Sequence, residues 1–322
     1  MRTSAIFLTI SSLVVGSLAG TYNIDKTYIG EDFLNTWTHE AISDPTHGRV
    51  DYVTQATALA ENLTYANGDT LIMRADATTV LSASGPGRKS VRLQSQDSFG
   101  THIVIFDVRH MPVGCGTWPA AWETGPNWPA NGEVDVVSTY VIEGVNDQGP
   151  NLVSLHVATT CSMPSSGRDM SGTAGSLNCD VNTDGNSGCG VNNPTSNSFG
   201  HDFNNAGGGW YAMERTSDEV KVWFWSRQDS TVPGDVQSGA DEVNTNNWNQ
   251  PVAYFPSTDC DIGNEFGKNN NLIFDLTFCG DWAGGSSYAA AGCSGTCVDW
   301  VNNHPSSFHD SYWDVAAVRV YT

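Results

Sequence analysis

The sequence predicts an all-β domain of the sandwich or jelly-roll type. Three observations predict it. Short strand-like runs recur along the chain, Gly, Asn, Asp and Pro punctuate them, and long helical periodicity is scarce. A length of 322 residues, 39% of them hydrophobic, is enough for one large core and too much for a small disulfide-stapled module.

Taken in order, residues 1–19 carry a signal-peptide pattern. Arg2 supplies the positive start, Ala5 to Val15 is apolar, and Ser17-Leu18-Ala19 offers small residues for cleavage. The mature chain is expected to begin near Gly20 as one domain, 20–322, with neither a second span of ~18 apolar residues nor a lipid-anchor tail. Val53 to Glu61 reads as a short helix. Nine runs read as strands: Leu71 to Ala75, Ser90 to Ser95, His102 to Val108, Glu133 to Val137, Leu152 to Ala158, Trp210 to Arg215, Glu219 to Trp225, Leu272 to Phe278 and Asp314 to Tyr321. In Glu219 to Trp225, Val220, Val222 and Phe224 alternate with Lys221, Trp223 and Trp225, so both faces are expected to be covered, and a Trp-lined sheet face suits a glycan cleft. Residues 161–209 and 283–312 are rich in small polar residues and read as long loops.

Eight cysteines form an even set, which in an exported chain reads as disulfides, with about 105 connectivities open. Cys293 and Cys297 have a zinc-like spacing, but no histidine pair completes a ligand set, and no metal or other cofactor is expected. Fourteen basic against 35 acidic residues give a formal charge of -21, which argues against nucleic acid as a partner and leaves a neutral polymer open. Eleven Trp and 10 Tyr supply flat rings for the apolar faces of sugars. Asn62-Leu63-Thr64 is an N-glycosylation sequon, in keeping with secretion. Asp180 to Gly185 has acids at the first and fifth positions of a calcium-type loop, yet Val191 stands where that loop needs Glu, so it reads as a polar loop.

The most informative stretch is Glu133-Val-Asp135. On a strand, residues two apart share a face, so the two acids project together. Two carboxyls on one face repel and one pKa rises, a cost that points to chemistry. Around them stand Trp118-Pro-Ala-Ala-Trp122 and Trp128 before the strand, and Glu143-Gly-Val-Asn-Asp-Gln148 after it.

With Gly85 to Arg92, His110-Met-Pro112, Leu155-His156, Leu272 to Gly284 and Tyr312-Trp-Asp314, this set resembles glycoside hydrolase family 16, within it the secreted fungal laminarinase-type endo-1,3(4)-β-glucanases. The resemblance runs along nearly all of the mature chain. It implies a two-sheet, concanavalin-like β-jelly roll with a concave cleft, and retaining hydrolysis of β-1,3 and mixed β-1,3/1,4-glucans by a monomer without cofactor. The family motif is Glu-x-Asp-x-x-Glu. By that resemblance Glu133 is the nucleophile, Asp135 its helper, and a β-bulge returns the last Glu, the acid/base, to the cleft face. Trp118, Trp122, Trp128 and Trp282 are implied as sugar-binding rings, His156 as a neighbour of the acids, and Arg92 as a donor to sugar hydroxyls.

The sequence departs from the motif at its third acid, because position 138 is Ser. Removing residues 137–141 would restore Glu-Val-Asp-Val-Ile-Glu, which makes Glu143 the expected acid/base and those five residues an insertion or a splice-boundary error; Val-Ser can be encoded by GTAAGT, a typical intron start. A continuous strand would carry Glu143 roughly 33 Å from Glu133, whereas retention needs the carboxyls ~5 Å apart. The alternatives are a glucan-binding protein on a disabled hydrolase scaffold and a wall-remodelling transglycosylase.

Overall fold

A computed structural model describes residues 20–138 and 145–322. The expected signal peptide, the expected acid/base Glu143 and residues 139–141 of the expected insertion lie outside the described residues.

Two large sheets stack. One has eight strands in the order Thr173–Ala174, Cys189–Asn192, Leu152–His156, Glu133–Ser138, Thr117–Thr124, Asn270–Phe278, Arg92–Phe99 and Trp37–His39. The other has nine, with Tyr312–Tyr321, His102–His110, Gly209–Arg215 and Glu219–Ser226 as its centre and Ala253–Pro256 at one end. The pairings within both are antiparallel. The jelly roll predicted from the sequence is the fold observed. Among the described residues no helix is long and apolar enough to cross a membrane.

Period-2 alternation divides the eight-stranded sheet into a core face and an outer face. In Asn270–Phe278, Leu272 and Phe274 enter the core while Asp275 and Thr277 face outward. In Leu152–His156, Val153 and Leu155 are core, and Ser154 and His156 face outward. The centre of the core is aromatic: Phe274 lies 5.3 Å from Trp313, 5.5 Å from Phe106 and 6.0 Å from Trp37, ring centre to ring centre. Burying such a side chain contributes about 1.5–3 kcal/mol.

One buried ion pair joins the sheets. Arg215 of the nine-stranded sheet donates through Nε to Glu123 of the other, and through its two terminal nitrogens to the carbonyls of Gly267 at 3.2 Å and Phe99 at 3.0 Å. His102 stands beside it, with Nε2 3.4 Å from Glu123 and a pKa that burial lowers.

All eight cysteines pair: Cys115–Cys293, Cys161–Cys260, Cys179–Cys189 and Cys279–Cys297. The zinc-like pair Cys293 and Cys297 thus goes to two different bridges. The Asp180 loop is held from within, since Asp180 Oδ1 accepts from Asn182 N at 2.9 Å and Nδ2 at 2.8 Å.

One expectation is corrected. The Trp223 and Trp225 face lines no part of the cleft described below. It lies on the outer face of the nine-stranded sheet, where Trp248 packs edge-on against both at 5.0 and 5.5 Å. Alternation shows that a face is apolar; it cannot show which segment returns to cover it.

Candidate active site

The acidic strand Glu133–Ser138 lies between Thr117–Thr124 and Leu152–His156. Its register sets Glu133 opposite Thr124 and His156, and Asp135 opposite Trp122 and Ser154. All six side chains leave on the outer face. Both ladders shift register just after Asp135, and Val136 and Val137 are both buried in the core. Consecutive residues on one face are the mark of a β-bulge, which falls where the motif calls for one. Val137 and Ser138, the first two residues of the expected insertion, continue the strand opposite Ala121 and Leu152.

The outer face forms a cleft of about 470 Å³ that takes in Glu133, Asp135, His156, Arg92, Trp118, Trp122, Trp128 and Trp282. Every site residue read from the sequence and lying among the described residues is therefore in one cavity, except the sequon residue Asn62, which was expected at the surface and is exposed there. Trp118 and Trp282 meet edge to face at 5.3 Å, and Trp128 stands 48% exposed at the cleft.

One oxygen each of Glu133 and Asp135 and a ring nitrogen of His156 lie within 4.8 Å of one another, a spacing that could also hold a cation. Asp135 Oδ2 accepts from Ser154 Oγ at 2.7 Å and stands 3.4 Å from His156 Nε2, while His156 Nδ1 meets Asn186 Oδ1 at 2.9 Å. Gly188 is required beneath that ring: its φ is +64°, and a Cβ there would come within 2.6 Å of the imidazole. Burial first, then the Asp135 charge, push Glu133 well above the ordinary carboxylate range, against a hydrogen bond from Trp128 and the Arg92 charge. Burial raises Asp135 as well, opposed by His156, Ser154 and Glu133. Such a pair takes up and releases protons as a unit.

Arg92 is buried, and its described hydrogen bonds run to protein. It donates to Glu40 at 2.7 Å and Asp275 at 2.9 Å, and its guanidinium sits 4.9 Å over the Trp122 ring. The arrangement makes it a brace for Trp122 more than the expected donor to sugar. Asp275, which also accepts from Trp122 Nε1 at 3.3 Å, was not singled out from the sequence; burial pushes it up to about 7 while Arg92 pulls it back. The signal was available, since an Asp inside Leu272-Ile-Phe-Asp-Leu marks a face turned from the core.

The family model described as "XgeA-like, catalytic GH16 domain" matches residues 37–321. A "probable glycosidase" of Schizosaccharomyces pombe is 43% identical over 305 residues, 94% of this chain and 70% of the relative. A "probable endo-1,3(4)-beta-glucanase" of Aspergillus niger is 39% identical over 98% of this chain, which spans only 42% of that relative. Among solved structures, laminarinase 16A of Phanerochaete chrysosporium, with 6-O-glucosyl-laminaritriose in both donor and acceptor sites, is 60% identical. It covers 94% of this chain and 100% of its own, with a TM-score of 0.91.

Proposed function

The chain belongs to glycoside hydrolase family 16, and on that premise we propose that it is a secreted endo-hydrolase of β-1,3 and mixed β-1,3/1,4-glucans that retains anomeric configuration. The observation that carries the reading is the pair Glu133 and Asp135 on the floor of a cleft walled by four tryptophans.

Retention requires two displacements. Glu133 attacks the anomeric carbon as the leaving oxygen takes a proton from a second carboxyl, for which Glu143 is the candidate. The glycosyl–Glu133 ester is then hydrolysed by water that Glu143 deprotonates. Asp135, tied to Ser154 and facing His156, lends a proton or a hydrogen bond to Glu133 and withdraws it as the charge there changes. The tryptophan rings seat successive glucose units. Residues 1–19 would direct export, 20–322 would form the catalytic domain, working as a monomer, and Asn62 would carry a glycan.

The test is reducing-end release from laminarin by the chain with a transcript-confirmed sequence, with the anomer of the first product read by proton NMR. Glu133→Gln and Glu143→Gln should each lower kcat by at least ~10³-fold. Laminarin binding without hydrolysis would leave a binding protein, and unchanged turnover in Glu143→Gln would remove that residue from the mechanism.

A further inference from the structure

A second cavity, of about 370 Å³, lies away from the cleft and shares none of its lining residues. Trp223, Phe224 and Trp225 all line it. Consecutive side chains of a strand leave on opposite faces, so three in a row can border one cavity only where it lies against the strand's edge. That edge is open. The ladder between Glu219–Ser226 and Ala253–Pro256 ends at Val222 and Ala253, and the chain beyond, Asn249 to Val252, swings out to form the opposite wall. The carbonyls of Asp218 and Val222 accept from Ser257 and Val252, so alternation turns the Phe224 backbone toward the same side.

Asn193 closes the floor. It is 3% exposed; its Oδ1 accepts from Thr195 N at 3.1 Å and Oγ1 at 2.9 Å, and its Nδ2 is buried with no partner among the described residues. A buried donor left unmade costs free energy, which a ligand oxygen returns when the Asn193 amide turns toward the groove. Among the described residues the lining has no basic residue and one acid, Asp229, whose Oδ1 accepts from Thr231 N and Oγ1. Amides, hydroxyls and aromatic edges without cations exclude anions and fit a neutral polyhydroxylated ring, and the volume falls in the range of ~300–1,000 Å³ typical of small-ligand sites. The free edge, Trp223–Ser226, is short for pairing with a peptide strand, which typically needs ~5–6 residues.

We propose that this groove is an auxiliary glucan-binding site that holds a β-glucosyl segment of the substrate polymer outside the cleft. The proposal rests on the glucanase reading for the identity of its ligand. Its effect is on polymer capture: a chain held there keeps the enzyme on an insoluble surface, raising the local concentration of cleavable strand.

The test begins with the full chain carrying Glu133→Gln, titrated with laminarihexaose by calorimetry. One more binding site is expected than in the same chain with Asn193→Asp, which keeps the acceptor for Thr195 and removes the amide donor. The exposed pair Asn249→Ala and Gln250→Ala, remote from the core, should weaken the same site about 10-fold and covers the case in which the buried variant misfolds. In the active chain this exposed pair should leave kcat/KM on laminarihexaose within about 2-fold and lower the rate on insoluble β-1,3-glucan about 5-fold. Equal site counts in parent and variants, or an unchanged rate on insoluble glucan, would overturn the proposal while laminarin hydrolysis persists. Loss of laminarin hydrolysis in the parent would instead overturn the glucanase reading.

Discussion

Arg215→Met should be among the most damaging substitutions outside the cleft. The side chain is 3% exposed, and its partner Glu123 is fully buried, so removing the guanidinium strands a carboxylate between the sheets. Breaking a buried pair from one side costs ~3–5 kcal/mol. The carbonyls of Phe99 and Gly267 lose donors too, at ~1 kcal/mol each, which brings the expected loss to about 5–7 kcal/mol. For a chain of this size, that corresponds to a fall in Tm of roughly 10 °C. Urea unfolding followed by tryptophan fluorescence measures it, and the double variant Glu123→Met with Arg215→Met completes the cycle. The double variant should recover most of the loss, because an apolar pair of similar volume replaces the ions without leaving a charge behind. A loss under ~1 kcal/mol in the single variant, or a double variant no better than the single, would show that the pair is not what joins the layers.

The site makes predictions of opposite sign. Glu133 must be ionised to attack, so kcat/KM falls as pH drops through its pKa; Asp135→Asn removes a charge that raises that pKa and should move the acidic limb to lower pH. Trp128→Phe keeps an aromatic ring but deletes the N–H that favours ionised Glu133, so its limb should move to higher pH; a shift in the same direction for both variants would refute the assignment. Replacing Cys161 and Cys260 by Ser opens a 99-residue loop and should cost about 2–5 kcal/mol in thermal unfolding, with the far-ultraviolet circular dichroism of the folded state unchanged.

Much of the site was legible because its chemistry is local. Glu133 and Asp135 needed only the two-residue period of a strand, and Trp118, Trp122 and Trp128 stand close by in sequence. The strand Thr117–Thr124 was not read as one, because Pro119 argues against a central strand. The described ladder with the acidic strand covers Ala121 to Thr124, and Pro119 stands opposite Leu276 in the ladder with Asn270–Phe278 on the other side. Thr21–Tyr28 was missed because its run, Thr-Tyr-Asn-Ile-Asp-Lys-Thr-Tyr, is too polar to read as strand, and its pairing comes from Tyr312–Tyr321 almost 300 residues away. Arg92 was read as a donor to sugar hydroxyls because nothing adjacent in sequence announces Glu40 or Asp275 as its partners. The disulfide pairing was hidden for the same reason, since bridges across 178 and 99 residues depend on the finished fold.

The smallest bridge has the widest reach. Cys179–Cys189 fastens the two ends of the segment that carries Asn186 and Gly188 against the His156 ring. The bridge thereby closes, over ten residues, the segment that packs on the imidazole, in addition to the ladder that holds the His156 strand. Opening that bridge should therefore disturb the His156 side of the cleft before it disturbs the paired sheets.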